Sequence, residues 1–183
     1  PQFLDPTRQH FIQLDIEPKN AGWTFPCDHV VIGDAAVALS QLIDCIRDIG
    51  PPPDEILDVR KARLSNKREK YGFFDDAEFT SDQIPLLPQR IVGEIRSGID
   101  DDAIITCDAG ENRLFMTHWF QNRKAGALVS PAGTGGMGYA IPAALAAKLA
   151  SPSSRVVAVN GDGGFSMSMN GLITACEEEI PIT

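Results

Sequence analysis

The chain has 183 residues, with 16 Lys and Arg against 25 Asp and Glu, so its net charge is -9 and its pI lies near 4.7. That balance, with no compensating basic stripe, speaks against nucleic acid or another polyanion as a partner, while 43% hydrophobic residues and a mean hydropathy of -0.08 suit a soluble globular chain. Cys27, Cys45, Cys107 and Cys176 form no CxxC pair and His10, His29 and His118 are scattered, which disfavours a disulfide framework or zinc site and points to a reducing, cytoplasmic compartment; no apolar run reaches the length of a membrane span.

In chain order, "FIQLDI" (Phe11 to Ile16) alternates and predicts a strand, and His29 to Ile32 a second one. Gly33-Asp34 then opens a helix with Asp34 as N-cap, and Leu39, Leu42, Ile43, Ile46 and Ile49 share one face at helical spacing. Gly50 and the run Pro51-Pro52-Pro53 end it. Residues 51–80 are charged, proline-bearing and weakly periodic, which reads as a linker holding a short helix around Glu55 to Glu69. Within it Arg60, Lys61, Arg63, Lys67, Arg68 and Lys70 form the one basic cluster, read as a solvated face.

A new unit opens near Ser81. Pro88 suits a first helical turn, Leu87, Ile91 and Ile95 give an apolar face, and Gly98 stops the helix. "AIITC" (Ala103 to Cys107) reads as a buried strand, followed by a helix through Leu114 to Phe120, a short strand in "GALVS" (Gly126 to Ser130) and an alanine- and leucine-rich helix from Tyr139 to Ala150. Then come the strand in "VVAVN", the turn Gly161-Asp162-Gly163-Gly164, a helix to Glu179, and Ile180-Pro181-Ile182 starting another strand. Alternating strands and helices predict an α/β parallel sheet, and such sheets bind ligands at the carboxyl ends of their strands. Three glycine-bearing turns, at Gly110, Gly133 to Gly138 and Gly161 to Gly164, fall at strand ends.

Gly133 to Gly138 fits G-x-G-x-x-G, and Asp162 lies 24 residues beyond Gly138, near the spacing of a ribose-binding acid. The strand before it is short and broken at Ser130-Pro131, and the acid is followed by a second glycine turn that a ribose-binding acid does not need. A nicotinamide site is therefore disfavoured. Asp162 itself has two natural tasks, capping the next helix or holding a divalent ion that holds a phosphate. Capping alone does not call for glycines on both sides, whereas close approach of a phosphate to the backbone does.

"GDGGFSMSMNGLITACEEEIPIT" resembles the start of the thiamine-diphosphate motif, "GTGGMGYAIPAALAAKLA" resembles the segment before it in the acetolactate synthase and pyruvate oxidase family, and "FIQLDIEP" with "VVIGDAAVAL" resembles the end of that family's middle domain. The resemblance implies three parts: residues 1–50 as the end of a Rossmann-like middle domain of flavin type, 51–80 as linker, and 81–183 as the first part of a thiamine-diphosphate-binding domain, a parallel-sheet three-layer sandwich. It implies Asp162 as the Mg ligand, Gly163 and Gly164 as N–H donors to the diphosphate, and Gly135 as the carbonyl that accepts the cofactor's 4'-amino group. Met137 would prop the cofactor into a bend that brings this amino group beside the thiazolium ring. Its bland alternative is a core methionine.

Asp108-Ala109-Gly110-Glu111-Asn112 matches a segment that often reads D-V-G-Q-H in acetolactate synthases, where the residues after the glycine touch the diphosphate. Glu111 departs from that pattern, since a carboxylate beside phosphates must point away or meet a cation, so Gly110 and Asn112 are the stronger candidates. Asp15-Ile16 and Asp34-Ala35 map onto pairs that contact FAD in the flavin-carrying branch; a strand-end acid and a helix cap are their plain readings. The resemblance implies no catalytic residue in this chain. The closing Asn-Asn of the motif and the glutamate that activates the pyrimidine fall outside it, so a fragment inactive by itself is expected, completed by the missing parts of the same enzyme in a dimer or tetramer.

The activity implied is decarboxylation of pyruvate and transfer of the two-carbon unit to a 2-keto acid, as in branched-chain amino acid biosynthesis. Pyruvate oxidase-like flavoenzyme chemistry, a non-flavin decarboxylase or lyase, and a non-catalytic or degenerate homologue are the alternatives. Glu111 and Glu177-Glu178-Glu179 motivate the last.

Overall fold

The computed structural model describes residues 4, 5, 7–71, 74 and 76–183. The chain divides into two compact units, Pro1–Asn66 and Lys67–Thr183.

In the first unit β1 (Ile12–Asp15) and β2 (His29–Ile32) pair in parallel, Ile12 opposite His29 and Asp15 opposite Ile32. α1 (Ala35–Ile49) follows. The Asp34 carboxylate accepts from the N–H groups of Ala36 and Val37 at 3.0 and 3.1 Å, satisfying two of the donors that a helix start leaves unpaired. Gly50 closes the helix at φ 83°, its N–H donating to Ile46 and Arg47 carbonyls. The apolar face predicted for α1 forms, and it is exposed: Leu39, Leu42, Ile43, Ile46 and Ile49 are 49–83% accessible.

The helix expected around Glu55 to Glu69 forms as α2 (Asp54–Tyr71), one 18-residue helix. Its composition explains this without burial. Asp54 and Glu55 sit in the first turn and Arg68 and Lys70 in the last, each complementing the helix dipole, and Lys61 reaches Asp58 at 3.7 Å.

In the second unit the helices are α3 (Pro88–Ser97), α4 (Glu111–Trp119), α5 (Ala140–Ala150), α6 (Asp162–Ser168) and α7 (Gly171–Glu177). Three parallel strands lie in the order β4 (Leu128–Val129), β3 (Ile104–Cys107), β5 (Val156–Val159). One face of the sheet packs Ile105, Cys107, Val157 and Val159 against Val92 of α3, Met116 of α4 and Phe120. The other meets α5, where Thr106 Oγ1 donates to the Ala140 carbonyl at 2.8 Å. Burial on both faces is why β3 reads as a continuous apolar run rather than an alternating one. The architecture is α/β with helices on both sides of a parallel sheet.

Past α6 the expected single helix becomes two. Leu172 and Ile173 donate to the carbonyls of Met169 and Asn170, three residues back, so the backbone tightens there. Gly171 lies against α5, where an added Cβ would stand 2.9 Å from Ile141 Cγ2. Beyond α7, Thr183 exchanges backbone hydrogen bonds with Val156 and Ala158, alongside β5.

Candidate functional site

Because the strands are parallel, β3, β4 and β5 all deliver the chain to the same edge of the sheet. The three glycine turns singled out in the sequence therefore meet there, and side-chain packing interlocks them. Asn112 lies between the first and third: its Oδ1 stands 3.0 Å from where a Cβ of Gly110 would be and 3.6 Å from that of Gly161. Its Nδ2 donates to the carbonyls of Asp108 and Val159 at 3.2 and 3.4 Å, bridging the ends of β3 and β5. Met137 lies over the third turn, its sulfur 3.5 Å from the Cβ position of Gly163.

The sequence reading passed over the residue at the centre. Asp108 is fully buried and takes three backbone N–H bonds. Oδ1 accepts from Ala109 at 2.7 Å and Gly138 at 3.0 Å, and Oδ2 accepts from Ala140 at 3.0 Å. The carboxylate also fills the space beside Gly164, where an added Cβ would lie 2.6 Å from Cγ. A buried charge is tolerable only when its lone pairs are engaged, and here they are engaged by the turn that carries Gly135 and Met137. A strand-end acid followed by a small residue and a glycine was the available signal. Its pairing with distant glycines could not be read locally.

Gly135 adopts φ 62° and Gly138 φ 84°, conformations that a side chain would strain. Nothing lies within 4 Å of a Cβ built at Gly133 or Gly136, so the loop's outer surface is open. Asp162 is exposed at the first position of α6, and its Oδ1 takes the N–H of Gly163 at 2.8 Å. No other hydrogen bond or ion pair engages that carboxylate among the described residues. Glu111 opens α4 and is exposed. Burial, and secondly the negative charge of Asp108, push the Cys107 thiol up to about 11, with Arg113 pulling the other way. That thiol is a packing group rather than a nucleophile.

In the first unit, Asp15 ends β1 and Asp34 follows β2, at one edge of the pair. The Asp15 carboxyl is held below its usual range by the N–H of Glu17, then by Asn20, and Asp34 is engaged as the α1 cap. Ile16 is 71% exposed, and Ala35 begins α1. Among the described residues no group of three or more His, Cys, Asp or Glu is gathered to hold a metal, and no helix is long and apolar enough to cross a membrane.

These turns coincide with a known family. Residues 108–183 match the family described as thiamine pyrophosphate enzyme, C-terminal TPP binding domain. This part of the chain is similar to the thiamine pyrophosphate enzymes. The matched segment begins at Asp108, the buried acid that knits the turns together.

The relatives extend the match over nearly the whole chain. A protein of Methanococcus aeolicus named "Probable acetolactate synthase large subunit" is 33% identical over 96% of this chain and 31% of its own length. The acetolactate synthase isozyme 3 large subunit of Escherichia coli is 28% identical over 93% of this chain and 29% of its own length. The acetolactate synthase large subunit of Pyropia yezoensis is 29% identical over 93% and 28% respectively. The chain spans about a third of the length of the curated relatives it matches.

The site suits the cofactor on three counts. An exposed carboxylate stands at the turn, the loop opposite has open glycines, and a thioether overhangs the gap between them. A single carboxylate is also in keeping with magnesium, which takes one or two carboxylates and completes its shell with phosphate oxygens and water.

Proposed function

We propose that this chain contributes the diphosphate-binding half of a thiamine-diphosphate- and Mg-dependent enzyme that decarboxylates pyruvate and transfers the two-carbon unit to a second 2-keto acid, in the manner its relatives' names suggest. The observation that carries the reading is Asp162, exposed at the carboxyl end of β5, beneath Met137 and among three glycine turns.

In this reading the cofactor, once bound, supplies the electron sink for losing carbon dioxide from a 2-keto acid. The chain's own residues bind and orient. Asp162 gives one carboxylate oxygen to the magnesium ion. Gly110, Asn112, Gly163 and Gly164 line the diphosphate, and Gly135 offers its carbonyl to the pyrimidine amino group. Met137 would lie against the cofactor's rings and support them. Glu111, exposed at the start of α4, points its charge to solvent.

The reading extends to residues 1–50 as the end of a flavin-type domain joined by 51–80 to the cofactor domain at 81–183. Asp15-Ile16 and Asp34-Ala35 would then meet FAD at the strand edge they share. Assembly into a homo-oligomer and a place in branched-chain amino acid synthesis follow from the same likeness.

The deciding measurement titrates thiamine diphosphate, with and without Mg2+, into the purified protein and Asp162→Ala. Wild type is expected to bind in a Mg-dependent manner and the variant to lose that dependence. Equal binding by both would remove Asp162 as the ligand. Acetolactate formation from pyruvate, against oxygen consumption, separates carboligation from oxidation.

A further inference from the structure

Arg113 stands in the first turn of α4, one residue beyond the segment matched to the diphosphate contacts. Its backbone N–H closes the turn onto the Gly110 carbonyl at 3.1 Å. The side chain crosses to the second glycine turn, where Nη1 donates to the Pro131 carbonyl at 3.0 Å and stands 3.2 Å from the Cβ position of Gly135. A guanidinium carries five N–H donors. This is the one side-chain hydrogen bond that Arg113 makes among the described residues, and it leaves Nε and Nη2 without an acceptor. No carboxylate there lies within ion-pair distance of it. Arg90, Arg96 and Arg123 of the second unit each meet an acid, whereas Arg113, like Arg155, donates to a backbone carbonyl instead.

Glu111 does not neutralise it. Residues two apart on a helix point to different faces, and no ion pair joins the two. A half-buried cation thus faces the loop between the two turns with most of its donors unspent. Magnesium, one carboxylate and a diphosphate together remain anionic, so a fixed cation there has a counter-charge to meet.

We infer that Arg113 is an oxyanion-binding residue of this site, its guanidinium taking an anionic group of the bound ligand while Nη1 holds the Pro131–Gly135 loop. The inference rests on the thiamine-diphosphate reading above. The diphosphate and the carboxylate of a 2-keto acid present the same chemistry, and both are within its scope.

The experiment compares Arg113→Gln and Arg113→Lys with wild type in the presence of Mg2+, folding being checked by circular dichroism. Dissociation constants are measured for thiamine diphosphate, for unphosphorylated thiamine and, at saturating cofactor, for pyruvate. If the diphosphate is the anion, Arg113→Gln weakens thiamine diphosphate by about tenfold or more and leaves thiamine unchanged, since a charge-assisted bond is lost. If the substrate carboxylate is the anion, the dissociation constant of pyruvate rises by a similar factor at unchanged cofactor affinity. Arg113→Lys keeps the charge and loses less in either case, and it carries the comparison should the glutamine variant fail to fold. Equal weakening of thiamine and thiamine diphosphate, or no change in any constant, would overturn the assignment and leave Arg113 as a loop tie. Wild type that binds no thiamine diphosphate overturns the site reading and this inference together.

Discussion

A methyl group at position 164 would sit 2.6 to 2.9 Å from three atoms of the Asp108 carboxylate. Neither partner can yield cheaply, because the acid is fixed by three N–H donors and Gly164 is inside α6. Gly164→Ala is therefore expected to destabilise the fold by about 1–3 kcal/mol, the ordinary cost of overpacking; a shift in urea midpoint at constant slope checks it. The glycine thus has a steric reason of its own, beside any contact with a phosphate. Cys107 gives an independent reading of the same neighbourhood. Its thiol stays neutral until pH approaches about 11, so near pH 8 alkylation should label the exposed Cys45 and Cys176 and spare Cys107 until the protein unfolds. Because the folded state holds that proton above the usual thiol range, its contribution to stability is complete below pH 9 and declines as pH rises towards 11. Labelling of Cys107 in the native protein would contradict the packing described.

Among the elements, local chemistry was most legible where one residue carried the signal. Asp34 was read as a cap and makes both cap bonds; Asp34→Ala should cost about 1 kcal/mol of α1 stability, seen as lost helicity on mild heating. Pro88 opens α3 as its fixed φ and missing N–H allow, and Gly98 closes it. α2, expected around Glu55 to Glu69 and found at Asp54–Tyr71, lacks an apolar stripe; terminal charges and good helix formers sustain it. The misreading has a physical cause as well. At the division between α6 and α7, Gly171 meets Ile141 across a tertiary contact, which no local pattern reports. The gathering of the glycine turns was legible because parallel strands share one carboxyl edge. Which side chains would lock them was not, since Asp108 and Arg113 act on partners 18 to 32 residues away.

At the scale of the whole molecule the two units differ in how much they bury. The second encloses Ile105, Met116, Ile141 and Val156 almost completely, whereas none of the described residues up to Asn66 is buried. Val30, Val31 and Ile32 of β2 and the apolar face of α1 stay open to solvent in the first unit. A segment of that size with so little buried apolar surface cannot offset its conformational entropy. Residues 1–66 made alone are expected to show no cooperative thermal transition, while the intact chain shows one from its second unit; calorimetry distinguishes them. A sharp transition in the short segment would mean that apolar surface is covered in a way this fold does not provide.

The grip of Asp108 on the second and third turns also sets a rule for descent. An acid at 108 and a glycine at 164 occupy one shared volume, so drift at either position is conditional on the other. Lineages that place a side chain at 164 should be those that have already shortened or removed the acid at 108. The loop bearing Met137, released from its two-point hold, should then vary in length among the same lineages.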